Sequence, residues 1–206
     1  MPARRSPVDE SATRTALLDA TQEIMLEDGY AAVTTRRIGA KAGLNNALVF
    51  YYFGSVDNLF IELFRRGAER SLEGLVRALS SPQPLWSFWE LTHDFSSNAL
   101  IMEFTALANH RKAIRAEIAA YSRKFRTMQL EMLSDVLERH GVDSERWPPA
   151  SLILFMASFS RFMHIEEGFG LDIGHAETVA VIEREIRALE GDRRPTGEEA
   201  AVGLAE

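Results

Sequence analysis

Two short helices joined by a tight turn constrain this chain more than any other feature. Within residues 34–53, two stretches of helical spacing meet at Ala42-Gly43-Leu44. Glycine readily adopts the left-handed conformation that ends a helix, while Thr34 or Thr35 and Asn45 can each begin one by capping. With Ile38 and Val49 facing inward, the segment predicts a helix-turn-helix.

The charge of this segment differs from that of the whole chain. The chain carries a net charge of −7, yet no acid lies between Asp28 and Asp57, an interval that holds Arg36, Arg37 and Lys41. A local cationic surface on an acidic protein indicates a polyanionic partner. Double-stranded DNA is therefore the first partner to consider. The alternative is a helical hairpin whose polar residues are merely solvated.

The rest of the chain also has helical periodicity, without a strand pattern. The predicted helices are Ser11 or Thr13 to Asp28, Ser55 to Leu79, one or two between Trp86 and Asn109, Lys112 to His140, Ala150 to Phe169, and Ala176 to Leu189. We predict an all-α fold with an N-terminal three-helix head that carries the helix-turn-helix and a C-terminal helical domain. The predicted parts are a flexible basic arm (1–10), the head (11–71, with its DNA-binding segment at 34–53), the second domain (72–190) and a flexible tail (191–206).

Composition limits the chemistry that the chain can perform. It has no cysteine, so a disulfide or thiolate chemistry is excluded. His164-Ile165-Glu166-Glu167 is not a zinc-binding HExxH motif, and no phosphate-binding loop or nucleophile elbow is found. No cofactor, metal site or catalytic residue is therefore predicted. The first residues lack a signal peptide, and the longest apolar run is too short to span a bilayer, so we expect a cytoplasmic protein with no membrane contact.

The second helix of the predicted motif carries the residue types that read bases. Its first residues, Asn45, Asn46 and Ala47, would meet base edges in the major groove. Asparagine pairs with adenine through two hydrogen bonds, and alanine contacts the thymine methyl group. Tyr51 and Tyr52 lie further along the same helix, within reach of phosphates or bases. On the first helix, Thr35 would meet a phosphate, and Arg36 and Arg37 would lie near the DNA backbone.

These residues resemble the DNA-binding signature of the TetR family of transcriptional regulators. The matching residues are Thr35, Arg36, Arg37, Ile38, Gly39, Ala42, Gly43, Leu44, Asn45, Asn46, Ala47, Leu48, Val49, Phe50, Tyr51, Tyr52, Phe53, Ser55 and Leu59. The resemblance covers about residues 11–71. It implies a homodimer on a palindromic operator, with Arg36, Asn46 and Ala47 reading bases and Thr35 and Tyr51 holding phosphates. Phe50, Tyr52 and Val56 depart from the family's tyrosine, histidine and lysine, which predicts fewer phosphate contacts.

The resemblance also implies that the C-terminal helical domain is a ligand-binding and dimerisation domain. An aromatic and methionine-rich set predicts an apolar pocket for an apolar or acyl-like effector: Trp86, Trp89, Phe95, Met102, Phe104, Met128, Met132, Phe155 and Phe159. The alternative for each of these residues is ordinary core. The last two helices are the predicted dimer interface, through Leu154, Ala157, Ser158, Arg161, Val179, Ile182 and Ile186. The alternative is a helix buried within one subunit.

The sequence thus favours a ligand-responsive repressor that an apolar molecule releases from its operator. An activator, or a regulator that needs no ligand, is the alternative within gene regulation. A helical enzyme or carrier of small molecules is the alternative from another class, and it is disfavoured because no nucleophile with a base, cofactor loop or metal ligand set is found.

Overall fold

The computed structural model of the chain describes residues 7–93 and 95–194, with side chains described from Glu10 to His93 and from Asn98 to Arg194. This part of the chain forms nine α-helices and no strand, so the predicted all-α fold is confirmed. The helices are α1 (Pro7–Asp28), α2 (Thr35–Ala42), α3 (Ala47–Phe53), α4 (Val56–Leu79), α5 (Pro84–Thr92), α6 (Phe95–His110), α7 (Lys112–Arg139), α8 (Pro149–Gly168) and α9 (His175–Glu190).

The largest difference between the predicted and the observed helix limits lies at the start of α1. Helix α1 begins at Pro7, so residues 7–10 of the predicted arm are helical, whereas residues 1–6 lie outside the described residues. Between Trp86 and Asn109 there are two helices, since α5 ends at Thr92 and α6 begins at Phe95. A single 3₁₀ turn, Tyr30–Ala32, connects α1 to the residues before α2.

The chain divides into two compact units. The first contains residues 1–71 and 96–125, and the second contains residues 72–95 and 126–206. Helices α4 and α7 each contribute to both units. The first unit takes in α6 and the beginning of α7 because Phe104, Leu107 and Ile114 are buried in the same apolar cluster as Leu17 and Ile38. The predicted domains 11–71 and 72–190 do not include this return of the chain, and they stay predictions.

Polar contacts join the helices of the first unit. Arg66 pairs with Asp19 at 2.6 Å and thereby joins α4 to α1. Arg111, between α6 and α7, pairs with Asp57 at the start of α4. The Glu103 carboxylate of α6 accepts a hydrogen bond from the backbone N–H of Tyr30 at 2.6 Å. The 3₁₀ turn between α1 and α2 is therefore held by a side chain that lies 73 residues further along the chain.

The second unit joins its last helix to the start of α5. The Glu190 carboxylate accepts hydrogen bonds from the backbone N–H groups of Leu85 at 2.8 Å and Trp86 at 3.1 Å, which are donors that a helix start leaves unpaired. The Gln83 amide donates to the carbonyl oxygens of Glu190 and Asp192. In α8, the Ser160 hydroxyl donates to the carbonyl oxygen of Thr92 at 2.6 Å. Glu190 thus supplies the hydrogen-bond acceptors for the start of α5, which lies more than 100 residues earlier in the chain.

No single helix within the described residues is long and apolar enough to cross a membrane. The bent pair Ala47–Phe53 and Val56–Leu79 meets that test by length and composition only, with an angle of 65° between its helices.

Candidate nucleic-acid interface

The predicted turn between α2 and α3 is present and is closely packed. The Thr34 hydroxyl caps α2 by accepting from the backbone N–H of Arg37 at 3.2 Å. Gly43 ends α2 in the left-handed region, at φ 65° and ψ 29°. Gly39 makes the close approach possible, because a Cβ atom there would lie 2.9 Å from the Leu44 carbonyl oxygen and 3.0 Å from the backbone N of Asn46. The turn therefore requires glycine at two positions, for two different reasons.

Helix α3 is positioned by its buried face. Val49 is fully buried and Phe53 nearly so, in a cluster that also contains Ile38 of α2. The Asn45 side chain accepts a hydrogen bond from the backbone N–H of Ala47 at 2.9 Å, so its amide oxygen is used in capping α3. Because the cap fixes this oxygen against the helix start, we expect the adenine contact at Asn46 rather than at Asn45.

The predicted DNA-binding residues lie mostly on the surface of the first unit. Thr35 and Tyr52 are half-buried, and the others are exposed: Arg36, Arg37, Asn45, Asn46, Ala47 and Tyr51. The exposed residues at the start of α3 are those that a helix would present to a major groove. The surface chemistry agrees with the predicted contacts, which stay predictions for each residue.

The three cations of the segment are not equivalent. Arg37 forms an ion pair with Asp28, at the end of α1. Lys41 contacts Glu27 at 2.5 Å and Glu23 at 3.4 Å, and the hydrogen bond with Glu27 is the main reason why the pKa of Lys41 is raised. Arg36 has no ion pair with any residue that the structure describes. Acids of α1 thus partly offset the positive charge that the local sequence predicts, and Arg36 is the cation best placed for DNA.

Tyr52 and Phe50 of α3 differ from expectation in their exposure to solvent. The Tyr52 hydroxyl is buried and has no hydrogen-bond partner among the described residues, so its side chain points into the protein rather than to a phosphate. Phe50, which was not predicted as a contact, is 56% exposed and lies one residue before Tyr51, which is 71% exposed. The aromatic pair available to DNA is therefore Phe50 and Tyr51. Helical spacing from the buried Val49 and Phe53 is the signal that indicates this orientation.

The predicted pocket residues with described side chains differ in burial, and the pocket that they would form stays a prediction. Trp86 and Trp89 are buried, and the Trp86 indole N–H donates to the Gly191 carbonyl oxygen at 3.0 Å. Phe104 is buried in the core of the first unit, where it packs against Phe64. Phe155 is 64% exposed. Half-buried positions are taken by Met102, Met128, Met132 and Phe159, and the Phe95 side chain lies outside the described residues.

An open cleft of about 250 Å³ lies in the second unit. Its lining residues are Leu79, Ser80, Ser81, Met132, Asp135 and Arg139. Among the predicted pocket residues with described side chains, Met132 is the one on its wall. The serines that follow α4 form one side of this cleft.

The predicted dimer residues divide into exposed and covered positions. On α8, Leu154, Ser158 and Arg161 are exposed and Ala157 is half-buried. On α9, Val179 and Ile182 are half-buried, and Ile186 is buried in the protomer's own core. The predicted stripe of α9 is therefore at least partly covered within one protomer. Helical spacing alone could not show this, because a core helix and an interface helix have the same apolar spacing. The large apolar residues exposed on α9 are Val181 and Leu189.

The exposed apolar surface of α8 is larger than predicted. Its exposed large apolar residues are Leu154, Phe155, Phe162 and Ile165, and the segment that follows adds Phe169, Leu171 and Ile173. Exposed apolar surface of this extent is typical of a protein interface. At the end of α8, Glu166 contacts His175 at 2.8 Å, and no group of three His, Asp or Glu residues in the described structure is placed to hold a metal ion.

Comparisons with known proteins agree with the geometry of the first unit. The family model for bacterial regulatory proteins of the tetR family matches residues 17–63. The chain is 23% identical over 202 residues to the HTH-type transcriptional repressor BepR of Brucella suis. This alignment covers 90% of this chain and 97% of that protein. It is 33% identical over 61 residues to the HTH-type transcriptional repressor AcnR of Corynebacterium glutamicum, 30% of this chain and 32% of that protein.

The fold is also found among solved structures. A TetR-family transcriptional regulator from Rhodococcus superposes with a TM-score of 0.68 at 14% sequence identity, covering 87% of this chain and 99% of that one. The helix-turn-helix of residues 34–53 lies within the matched family segment. Residues 17–63 thus match the tetR-family model, and the chain as a whole is similar in sequence to a transcriptional repressor and in fold to a TetR-family regulator.

Proposed function

We propose that this regulator is a repressor that binds a palindromic operator as a dimer and is released by a small molecule with a large apolar part. The observation that carries the proposal is the exposed start of α3, where Asn46 and Ala47 lie close in sequence to the exposed Tyr51. Side chains of these types contact base edges and phosphates when a helix start enters the major groove. The unpaired Arg36 adds a charge for phosphate or guanine.

The repressor assignment is supported by the relatives. BepR and AcnR are both transcriptional repressors, and BepR is similar over nearly the whole of this chain. Because these relatives are regulators, we assign no catalytic step to this protein. A regulator of this kind acts on chromosomal DNA, so we propose that it works in the cytoplasm.

The dimer assignment is supported by the apolar surface of α8. Leu154 and Phe162 are two turns apart on one face of the helix, and both are more than half exposed. A second copy of the same face would cover them, as the two-fold symmetry of a palindromic operator requires. Two heads on successive major grooves must lie roughly 34–36 Å apart. A small molecule that favours another spacing would weaken operator binding by population shift.

Gel shifts with the DNA that flanks the protein's own gene test this function. We expect Arg36→Ala and Asn46→Ala each to weaken binding by about 1–3 kcal/mol, roughly ten- to a hundredfold. Arg70→Ala is the control, since it removes an exposed arginine from α4 outside the helix-turn-helix. If both substitutions in the motif leave the affinity unchanged, the assigned DNA surface is wrong.

A further inference from the structure

We propose that Phe50 of α3 contacts the C5-methyl group of a thymine in the operator, and so helps to determine which DNA sequence this protein recognises. The inference deepens the proposed function and rests on it for the docking of α3 in the major groove. Phe50 departs from the tyrosine of the family signature, so a hydrogen bond from a hydroxyl group to a phosphate is not open to it. A contact with a base gives the exposed ring a different role.

Phe50 lies beside the two residues that are predicted to read bases. Asn46 has helical dihedral angles, φ −59° and ψ −25°, so it continues the spacing of α3 back by one residue. Phe50 follows Asn46 by four residues and Ala47 by three, which makes the three exposed side chains neighbours. Val49 and Phe53 are buried and fix the helix against the core. Helical side chains lean towards the N-terminus, so the Phe50 ring covers the turn that begins at Asn46.

The chemistry of Phe50 leaves it one kind of partner in the major groove. Its side chain is 56% exposed, and phenylalanine has neither a donor nor an acceptor with which to bond a phosphate or a polar base edge. The C5-methyl group of thymine is the apolar group that the major groove presents, and phenylalanine is among the side chains that contact it. Contact between the ring and the methyl group removes apolar surface of both from water.

Tyr51 differs from Phe50, although both are exposed aromatic residues of α3. The Tyr51 ring makes an edge-to-face contact with Tyr52, with 4.9 Å between the ring centroids. Tyr51 also carries a hydroxyl group, which is suited to a phosphate oxygen. We therefore assign the phosphate contact to Tyr51 and the methyl contact to Phe50.

Apolar contacts with bases matter more in this head because two of its cations are engaged within the protein. Arg37 and Lys41 both contact acids of α1. Phosphate contacts depend on such cations, and they carry no sequence information directly. A contact between Phe50 and a methyl group neutralises no phosphate, so its contribution to affinity should not depend on salt concentration.

Uracil in place of thymine tests the contact, because it lacks the C5-methyl group and still pairs with adenine. The probe is the operator duplex from the DNA that flanks the protein's own gene, with each symmetric pair of thymines replaced in turn. One methyl contact should be worth about fourfold in affinity in each half-site, and about fifteenfold for the pair. Fluorescence anisotropy measures the affinity of each duplex for the unmodified protein and for the variants.

Variants of α3 show which residue makes the contact. Phe50→Ala should bind the thymine and uracil duplexes equally at one pair of positions, whereas Phe50→Leu should keep part of the preference because leucine is apolar. Tyr51→Ala is the matched control, since it removes another exposed aromatic side chain from α3 and should keep the full preference. Because Phe50 is exposed, both of its variants should keep the melting temperature of the unmodified protein. Phe50→Ala should also leave the logarithmic salt dependence of affinity unchanged.

Two results would overturn the inference. One is a preference for thymine that persists in full at every position in Phe50→Ala, which would assign the methyl contact to another residue. The other is an affinity that uracil changes at no position. If Arg36→Ala and Asn46→Ala weaken binding in that second case, the proposed function stands and the inference alone fails. If the unmodified protein binds none of this DNA, both fail.

Discussion

The carboxylate of Glu103 accepts the backbone N–H of Tyr30 at 2.6 Å, so that α6 holds the turn between the first two helices of the DNA-binding head. The same carboxylate lies 3.5 Å from the position that a Cβ atom on Gly29 would occupy. Tyr30 also stacks on His110, near the end of α6, with 6.3 Å between ring centroids. Within the first unit, α6 is thus bonded directly to the segment that positions α2.

Glu103→Ala should destabilise the first unit. The substitution leaves the N–H of Tyr30 without its acceptor, at a cost of about 1–3 kcal/mol. Glu103→Gln retains an acceptor without the charge and should lose about half as much. Urea unfolding followed by circular dichroism measures both. Glu69→Ala, which removes an exposed acid of α4, is the control, and an equal loss in all three variants would contradict the assigned role.

Gly39→Ala should destabilise the protein and weaken DNA binding. Its added methyl group would meet the Leu44 carbonyl at 2.9 Å, so the α2–α3 turn must open. Overpacking of this kind costs about 1–3 kcal/mol. Gly67→Ala in α4 is the matched control, since nothing lies within 4 Å of its added methyl group, and it should stabilise by about 0.5–1 kcal/mol. We expect the melting temperature to fall in Gly39→Ala and to rise in Gly67→Ala, relative to the unmodified protein.

Much of the head could be predicted from the sequence because local chemistry decides it. The cap at Thr34, the left-handed Gly43 and the cap at Asn45 involve atoms within a few residues of one another. The pairing of Arg37 with Asp28 could not be predicted in the same way, since it depends on how α1 and α2 pack. The direction of the Tyr52 hydroxyl depends on packing for the same reason.

The second domain was harder to predict because its helices are apolar on several faces. The pattern of α8 fits a core helix and an interface helix equally well, and burial in the structure separates the two. Ile186 of α9 belongs to the protomer's core, whereas Val181 is exposed.

Removing the acids that hold Lys41 should strengthen DNA binding. With Glu23→Gln and Glu27→Gln together, Lys41 is released from contacts of 3.4 Å and 2.5 Å and can reach a phosphate. One added phosphate contact should steepen the logarithmic salt dependence of operator affinity by about one. Fluorescence anisotropy at several salt concentrations measures this slope. Adding Lys41→Gln to the pair should restore the original slope, and its failure to do so would exclude Lys41 as the cause.

Alkaline pH should weaken the first unit through Tyr121. Burial raises the pKa of Tyr121 to about 12, and its hydroxyl donates to the Ala68 carbonyl oxygen at 2.6 Å. Because the folded-state pKa lies above the unfolded value near 10, the protonated tyrosine contributes stability fully below pH 10. That contribution is lost as the pH rises towards 12. Urea midpoints measured between pH 8 and 12 should fall less steeply in Tyr121→Phe than in the unmodified protein.

A charge placed on α8 should dissociate the proposed dimer. Phe162 is 57% exposed in the protomer, so Phe162→Asp leaves the fold intact but buries a carboxylate when a second copy covers the helix. We expect the sedimentation mass to fall towards that of one chain at micromolar concentration. Val76→Asp, at an exposed apolar position of α4, is the control. A dimer that persists in Phe162→Asp would place the interface elsewhere.

The contact between Glu190 and the start of α5 sets a limit on how this protein can be shortened or fused. A version that ends before residue 190 removes more than the last turn of α9, because Leu85 and Trp86 lose the acceptor of their N–H groups. The same truncation would also free the Gln83 amide and the Trp86 indole, which donate to the carbonyl oxygens of residues 190–192. Loss of residues near position 190 would therefore destabilise the start of α5, in the middle of the chain. Increased proteolytic cleavage next to Pro84 would be the sign that the Glu190 contact is lost.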